Sequence, residues 1–403
     1  MRRQRGLVGL IALAALVASA IGLKPAEARV TTEESASILI FPKVIANGSR
    51  DTIIQITNTS NNMRHAHCFY VNGAPTRAGE PISLGSGGGA TEAANPPLWT
   101  EIDFDIWLTK QQPTHWTVSR GRLVYPLDAT CAQESCDPND VGTDDSDCCD
   151  AGIDPGRVPP VPPDFTGELK CIEVDASGFP VPGNALKGEA TLVDIPNGTL
   201  PDGDVSKYNA IGLKGFDTNN MDGTLCLGGD LSEACPTGAE YEACPRLWFL
   251  DHPSDGAEDP VASDGNATTT LTVVPCTQNF ETQDPEPVTM QFIVTNEFEQ
   301  SLSASTTFQC WASYTLNGDE PDSVNPYGGI STAFEQGTIG GDVLKTQVRV
   351  VGGTRGIVSV IETTTTVDST YARHAENPHS SFEDVFGPDI VTIPGEQIQI
   401  PEQ

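Results

Sequence analysis

Eleven cysteines are the residues whose type and number most restrict the chemistry of this chain. No Cys-x-x-Cys pair occurs, and neither Cys131-x4-Cys136 nor the vicinal pair Cys148-Cys149 has the spacing of a zinc site. In an exported chain such cysteines are first expected to form disulfides, although their connectivity stays open. Because eleven is odd, at least one thiol is free, bound to metal or paired with another chain.

Two acidic loops offer the hard oxygen ligands that calcium prefers. The second loop approaches the Asp-x-Asn-x-Asp-Gly pattern but has one extra residue and no closing Glu. A solvated loop without metal is the alternative, and no other cofactor is expected. The candidate calcium ligands are Asp137, Asn139, Asp144, Asp145, Asp147, Asp217, Asn219 and Asp222.

His65 and His67 are two residues apart, so a strand would place both imidazoles on one face and Cys68 on the other. Such a pair can chelate copper or zinc if a third ligand comes from elsewhere. The alternative is an ordinary strand surface with two polar side chains.

No enzyme is predicted. The chain has no Gly-x-Ser-x-Gly nucleophile elbow. The glycine-rich run from Ser83 to Gly89 lacks the Lys-Ser/Thr of a phosphate-binding loop. Carboxylate pairs are so common in this chain that they identify no glycosidase dyad.

Aromatic side chains could instead form a platform for sugar. Trp107 is the best candidate, because it lies on the polar face of a predicted strand. Burial between sheets is the alternative for most of the set. The set comprises Trp99, Trp107, Trp116, Trp248, Tyr125 and Phe249.

The N-terminal segment has the features of a signal peptide. Arg2, Arg3 and Arg5 precede an apolar stretch over residues 7–23, and Ala26-Glu27-Ala28 supplies a small-x-small cleavage pattern. We therefore expect a secreted, extracellular or cell-surface protein, with the periplasm as an alternative. No second segment reaches membrane length, so no membrane span is predicted.

The formal net charge of −33 argues against nucleic acid as a partner. Phosphate contacts need Lys and Arg, and the 22 such residues are far outnumbered by 55 Asp and Glu. Solubility is the simplest role for this charge.

Period-two alternation predicts strands throughout the chain. Ile102, Phe104, Ile106 and Leu108 share one face of a predicted strand. Two further faces follow the same rule: Val288, Met290, Phe292 and Val294, and then Phe308, Cys310, Ala312, Tyr314 and Leu316. Since long helical periodicity is absent after the signal, the fold class is predicted to be all-β.

An internal similarity suggests a repeated module. Residues 53–58 and 291–296 both end in Thr-Asn, and each is followed by a Cys-aromatic segment, at Cys68 and Cys310, that closes with Asn-Gly. Coincidence among β-rich segments is the alternative.

This pattern over residues 35–125 and 285–360 resembles immunoglobulin-like β-sandwich modules of secreted bacterial proteins of unassigned function. The resemblance implies two sandwiches and assigns no functional residue.

These observations predict a division of the chain into five parts. A signal peptide (1–28) precedes an N-terminal sandwich (29–129) and an acidic, Cys- and Pro-rich insertion (130–166). A second sandwich region (167–367) includes a loop excursion over 215–265. An irregular tail (368–403) carries a predicted edge strand.

The sequence leaves two function classes open. The first is a non-catalytic structural or adhesive protein of the cell surface or extracellular matrix. It would form a homo-oligomer or polymer through strand addition by residues 30–41 or 390–400, through an intermolecular disulfide, or through both. The second is a carbohydrate-binding protein with a polysaccharide partner.

Overall fold

The computed structural model describes fourteen segments of the chain, and structural statements below concern these residues. They are residues 30–73, 100–122, 157–195, 204–216, 222–229, 232–253, 257–258, 266–283, 287–316, 329–330, 343–351, 355–367, 370–381 and 388–394. The predicted signal peptide and residues 130–156 of the predicted insertion lie outside these segments.

The described part of the chain contains strands and no helix, which confirms the all-β prediction. Its first half forms β1 (Ile38–Ala46), β2 (Arg50–Asn58), β3 (Arg64–Asn72), β4 (Thr100–Leu108), β5 (Pro113–Thr117), β6 (Phe165–Val174), β7 (Leu186–Asp194), β8 (Val205–Asn209), β9 (Ile211–Leu213) and β10 (Thr224–Leu227). Its second half forms β11 (Leu247–Pro253), β12 (Ala257–Glu258), β13 (Asn266–Pro275), β14 (Gln278–Asn279), β15 (Pro287–Asn296), β16 (Ser301–Gln309), β17 (Ala312–Leu316), β18 (Gly329–Ile330), β19 (Val343–Val350), β20 (Ile357–Val367), β21 (Thr370–Glu376), β22 (His379–Ser381) and β23 (Asp389–Thr392).

The strands form five sheets, each named here by one member. The β1 sheet has the order β4-β3-β6-β1-β9, and the β2 sheet has the order β5-β2-β7-β8. The β10 sheet is β10-β23-β14, and the β15 sheet is β16-β15-β19-β11-β22. The β13 sheet is β18-β17-β13-β20-β21, with β12 paired to β13.

The prediction of two immunoglobulin-like sandwiches is wrong, because the five small sheets are arranged as the blades of a five-bladed β-propeller. Strands β1, β3 and β6 are buried on both faces almost throughout. The two sheets of an isolated sandwich each keep one solvent-facing side, so strands buried on both faces need neighbours on both sides. The unbroken apolar run Ile38-Leu39-Ile40-Phe41 in β1 is the sequence signal of that double burial.

Two cores lie on opposite faces of the β1 sheet. One core joins the β1 and β2 sheets and includes Phe41, Tyr70 and Ile54. The other includes Phe69 on the opposite face and Phe292 of the β15 sheet, with side chains from the β10 and β13 sheets. This layering places the β1 sheet between its neighbours.

The predicted repeat does not produce two equivalent modules. In the first copy, residues 53–58 belong to the β2 sheet, and Cys68 lies within β3 of the β1 sheet. In the second copy, Cys310 lies between β16 and β17 with a φ of 45°, so the predicted continuous strand changes sheet there. Similar local sequences therefore occupy different structural positions.

A buried charge network fastens β1, β2 and β8 to β20. Glu362 of β20 accepts hydrogen bonds from Lys43 Nζ at 2.7 Å, from the Arg50 guanidinium at 2.6 and 2.9 Å, and from Ser206 Oγ at 2.7 Å. Arg50 Nε also lies 2.9 Å from Asp194 Oδ1. Burial opposes the charge on Glu362, but the neighbouring Lys43 and Arg50 hold its pKa well below the ordinary value. Breaking such a buried pair by removing one partner typically costs about 3–5 kcal/mol.

Three disulfides confirm the disulfide prediction for six cysteines. They join Cys68 to Cys171, Cys226 to Cys235, and Cys244 to Cys276. Cys310 is a free, buried thiol, and burial raises its pKa. Because the thiolate is the reactive form, Cys310 is poorly placed for the predicted intermolecular disulfide. The remaining cysteines, Cys131, Cys136, Cys148 and Cys149, lie outside the described segments.

Candidate functional site

Most of the predicted calcium ligands cannot be located. Asp137, Asn139, Asp144, Asp145, Asp147, Asp217 and Asn219 lie outside the described segments. Asp222 is exposed, and its Oδ1 accepts the backbone N–H of Thr224 at 2.8 Å, as in an Asx turn. No group of three or more His, Cys, Asp or Glu suited to a metal ion occurs among the described residues.

His65 and His67 lie on one face of β3, as the spacing predicts, but both are buried. His65 Nε2 is 2.7 Å from Asp105 Oδ1, and its Nδ1 is 2.9 Å from the carbonyl oxygen of Asp175. His67 Nε2 is 3.4 Å from Asp103 Oδ2, a contact that holds the pKa of Asp103 below its ordinary value. Each imidazole therefore faces its own carboxylate on β4, and the two rings do not converge on a shared ligand position.

Strand β4 is an edge strand of the β1 sheet, and the face that it shares with His65 and His67 carries a row of acids. Glu101, Asp103 and Asp105 alternate along it and lie next to β3. Burial, followed by repulsion from Asp103, raises the pKa of Glu101 to about 7. Carboxylates in this position discourage another strand from pairing with the edge.

Of the four members of the predicted sugar platform that the structure describes, two are buried, one is half-buried and one is exposed. Trp116 and Trp248 are buried, and each indole N–H is bonded internally, to Tyr70 Oη at 2.6 Å and to the carbonyl oxygen of Ile357 at 2.9 Å. Trp107 is half-buried and stacks on the His65 ring, with 3.9 Å between ring centroids. Phe249 differs, because it is 43% exposed. Trp99 and Tyr125 lie outside the described segments.

Phe249 belongs to the outer face of the β15 sheet. The strand registers place Ser303, Ile293, Gln347, Phe249 and His379 in one row across this face. The row joins hydroxyl, amide and imidazole groups to one aromatic ring. Such a flat polar face with one exposed ring suits contact with a polar surface.

The open edge of that sheet is β16, whose sequence Ser-Leu-Ser-Ala-Ser-Thr-Thr-Phe-Gln has no charged residue, Gly or Pro. Its pairing with β15 is continuous from Thr295↔Ser301 to Pro287↔Gln309 without a bulge. Among the described strands, none pairs with the other side of β16. We call this strand with its unpaired side the β16 edge.

Both faces of β16 suit the continuation of the sheet. Its outward side chains are hydroxyls: Thr307 bonds Thr289 at 2.8 Å, and Ser301 bonds Thr295 at 2.8 Å. On the inward face, Leu302 and Ala304 pack against the core but remain only partly buried. A further strand alongside β16 would cover more of these apolar groups.

The segments predicted to add strands are not free edges. β1 is paired with β6 on one side and β9 on the other, and Thr31 bridges Gly212. β23 lies between β10 and β14. The predictions for residues 30–41 and for the described residues up to 394 are therefore wrong, and residues 395–400 lie outside the described segments. Sequence reasoning missed the β16 edge, and the uncharged run of β16 alone is not a sufficient signal, because the interior strands β13 and β15 are also uncharged.

The described segments include no helix long and apolar enough to cross a membrane. A scan against protein families and a search of curated proteins both find no match to this chain. Functional inference therefore depends on the β16 edge and the face beside it.

Proposed function

We propose that this chain is a non-catalytic structural or adhesive protein of the cell surface or extracellular matrix, which self-associates through the β16 edge. The observation that carries the proposal is the unblocked state of this edge. Nine residues without charge, bulge or proline leave one row of backbone groups unpaired among the described strands. Such an edge is a template for strand addition.

A second copy of the same chain is the proposed occupant. Two antiparallel β16 strands can pair about a twofold axis, which gives a closed interface with the same surface on both subunits. The pairing would join two β15 sheets into one, align hydroxyl rows on one face and bring partly buried apolar groups together on the other.

The net negative charge of the protein favours a contact at the uncharged β16 edge over contacts at acidic parts of the surface. The chain carries a net charge of −33, so most of its surface repels a second copy. The β16 edge has no carboxylate, and the exposed side chains of Lys345 and Arg349 lie on the same sheet. Repulsion between two copies is therefore weaker along β16 than along a strand that carries acids, such as β4.

Light scattering of the mature protein at micromolar concentrations tests the proposal. The wild type is expected to form dimers or larger species, and Ser303→Lys is expected to shift it toward monomer. The matched control is Gln347→Lys, because Gln347 lies in the same row as Ser303 but on the interior strand β19. Equal loss of association in both variants, or a wild type that is monomeric throughout, would refute strand addition at β16.

Binding of polysaccharide is the second candidate, and the exposure of Phe249 favours it. A single ring beside Gln347 and His379 can stack on a sugar while the polar groups accept or donate hydrogen bonds. A glycan array with the wild type and Phe249→Ala tests it. Binding that is lost in this variant while self-association persists would support a carbohydrate site on the same sheet.

A further inference from the structure

Three side chains that the proposed function does not use meet in the interior between β6 and β14. Glu168 and Lys170 of β6 are completely buried, and Gln278 of β14 is 3% exposed. Phe280 closes the site: its ring stacks on Phe69 with 4.2 Å between centroids, and Lys170 Nζ lies 5.6 Å from its centroid. An amine, a carboxyl group and a primary amide therefore share one buried site beside two aromatic rings.

The hydrogen bonds arrange these groups in a defined order. Lys170 Nζ donates to Gln278 Oε1, and Gln278 Nε2 donates to Glu168 Oε1. The side-chain amide thus lies between the amine and the carboxyl group, with the amine beside the carbonyl that it would attack. Glu168 Oε2 is buried and has no hydrogen-bond partner among the described residues.

A second buried lysine provides the contrast. Lys43 Nζ lies 2.7 Å from Glu362 Oε2, within a network that also contains Arg50 and Asp194. That network keeps its carboxylate ionised, as the lowered pKa of Glu362 indicates. Lys170 instead meets a neutral amide, so its site lacks the cationic partners that keep the Lys43 site ionic.

The pKa shifts at the Lys170 site are in the direction that acyl transfer needs. Burial lowers the pKa of Lys170 and raises the pKa of Glu168, although each charge partly opposes the shift of the other. A neutral amine is a nucleophile, and a protonated carboxyl group is a proton donor. Both forms also avoid the high cost of an uncompensated buried charge.

We propose that Lys170 and Gln278 become joined by an intramolecular amide bond, with Glu168 as the proton carrier. Lys170 Nζ attacks Gln278 Cδ, and its new N–Cδ bond replaces the bond from Cδ to Nε2. Glu168 gives a proton to the departing nitrogen and recovers one from the attacking amine, so that ammonia leaves. The step needs no oxidant, reductant or external acyl donor.

This bond would tie β6 of the β1 sheet to β14 of the β10 sheet. It would act beside the disulfide between Cys244 and Cys276, which also reaches the chain next to β14. Unlike a disulfide, an amide bond survives reduction. The inference is independent of strand addition at β16, because it concerns a bond inside one chain.

Mass spectrometry of the reduced and denatured wild-type protein tests the proposal directly. Reduction restores all cysteine thiols, so the amide bond alone leaves the mass about 17 Da below the value for the determined N-terminus, the mass of the lost ammonia. Proteolysis should then yield a branched peptide that joins Lys170 to Gln278. Peptides containing Lys43 should remain linear and serve as the internal control.

Two variants test the role of Glu168 as proton carrier and the role of Lys170 as nucleophile. Glu168→Gln retains the size of the side chain but removes the acid, and it is expected to restore the full linear mass. Lys170→Met removes the nucleophile and should do the same. Recovery of the wild-type protein with linear Lys170 and Gln278 peptides would overturn the proposal whether or not the variants fold. A bond from Gln278 to another residue would overturn the assignment to Lys170.

Discussion

Among the edge strands of the five described sheets, β4 and β16 have the same length and regular pairing but opposite side-chain chemistry. β4 alternates Glu101, Asp103 and Asp105 along one face, partly buried beside His65 and His67, whereas the exposed positions of β16 are Ser and Thr. Both are nine-residue strands with regular pairing to their single neighbour. β16 shares the absence of acid with its sheet neighbours β15 and β19, so this end of the β15 sheet lacks the carboxylates that β4 carries. The difference indicates that one edge is protected from pairing and the other is available for it.

Grafting the β4 pattern onto β16 is expected to have the largest effect on association. The triple variant Ser303→Asp, Ser305→Asp and Thr307→Asp would place like charges close together across the paired strands, which is destabilising. We expect self-association to weaken by about 100-fold or more, measured by analytical ultracentrifugation. The same number of acids on Thr289, Gln291 and Gln347, on interior strands of the sheet, is the control. Unchanged association of the grafted variant would contradict the proposed contact.

Removing the acids from β4 is expected to produce the opposite change. The variant Glu101→Gln, Asp103→Asn and Asp105→Asn leaves hydrogen-bond acceptors for His65 and His67 but takes away the charge of the edge. We expect larger assemblies than those of the wild type, because a second edge becomes available. The control for the change in net charge also removes three acids, by Asp251→Asn on interior strand β11, Glu189→Gln on interior strand β7 and Glu281→Gln after β14. Sedimentation profiles identical to those of the wild type would show that charge does not protect β4.

Added salt should strengthen self-association through the β16 edge. Raising the ionic strength from about 0.01 M to about 0.15 M shortens the Debye length from about 30 Å to about 8 Å. Because the β16 contact itself contains no ion pair, screening should reduce the general repulsion and strengthen association several-fold. Weaker association in salt would instead point to a contact held by charges such as Lys345 and Arg349.

The smallest expected effect is a pH dependence from the acid row on β4. Burial raises the pKa of Glu101 to about 7, so the folded protein holds this proton more tightly than the unfolded chain does. Its contribution to stability is therefore present at low pH and is lost as the pH rises from about 5 through about 7. Glu173, with a pKa of about 7, and Asp389, with a pKa of about 6, act in the same direction.

One buried histidine opposes that trend at lower pH. Burial lowers the pKa of His252 to about 4, so its contribution to stability is lost as the pH falls from about 6.5 through about 4. The net expectation is a higher free energy of unfolding at about pH 6 than at about pH 8. Urea denaturation at the two pH values measures it, and Glu101→Gln should reduce the difference. A stability that rises toward pH 8 would contradict the assignment.

The strands could be predicted from the sequence, but the way the sheets assemble could not. Alternation in β4 and β15 identifies which side chains are buried, because that pattern depends only on the local pleat. The assembly depends on which strands pair over long separations, as β3 does with β6 through Cys68 and Cys171. Local alternation contains no information about that partner. The double burial of β1 was visible as an apolar run, yet such a run does not say which sheet covers each face.

For the candidate site, the sequence indicates the kind of interaction but not which residues come together to make it. Open edge strands were expected to promote association, but β1 and β23, which belong to the segments predicted for this role, are interior strands, whereas β16 is an edge strand. The pairing of His65 with Asp105 follows from a diagonal cross-strand neighbour, which a sequence without strand register cannot supply. The meeting of Lys170 with Gln278 depends likewise on tertiary packing between two sheets.

Hydrogen–deuterium exchange of the β16 amides at low and high protein concentration tests the central claim most directly. If a second copy adds its strand at this edge, the outward-pointing amides within residues 301–309 should become protected as the concentration rises. The amides of β4 should exchange at the same rate at both concentrations, because its acids keep that edge unpaired. Association without added protection in residues 301–309, or with protection confined to another segment, would contradict the account.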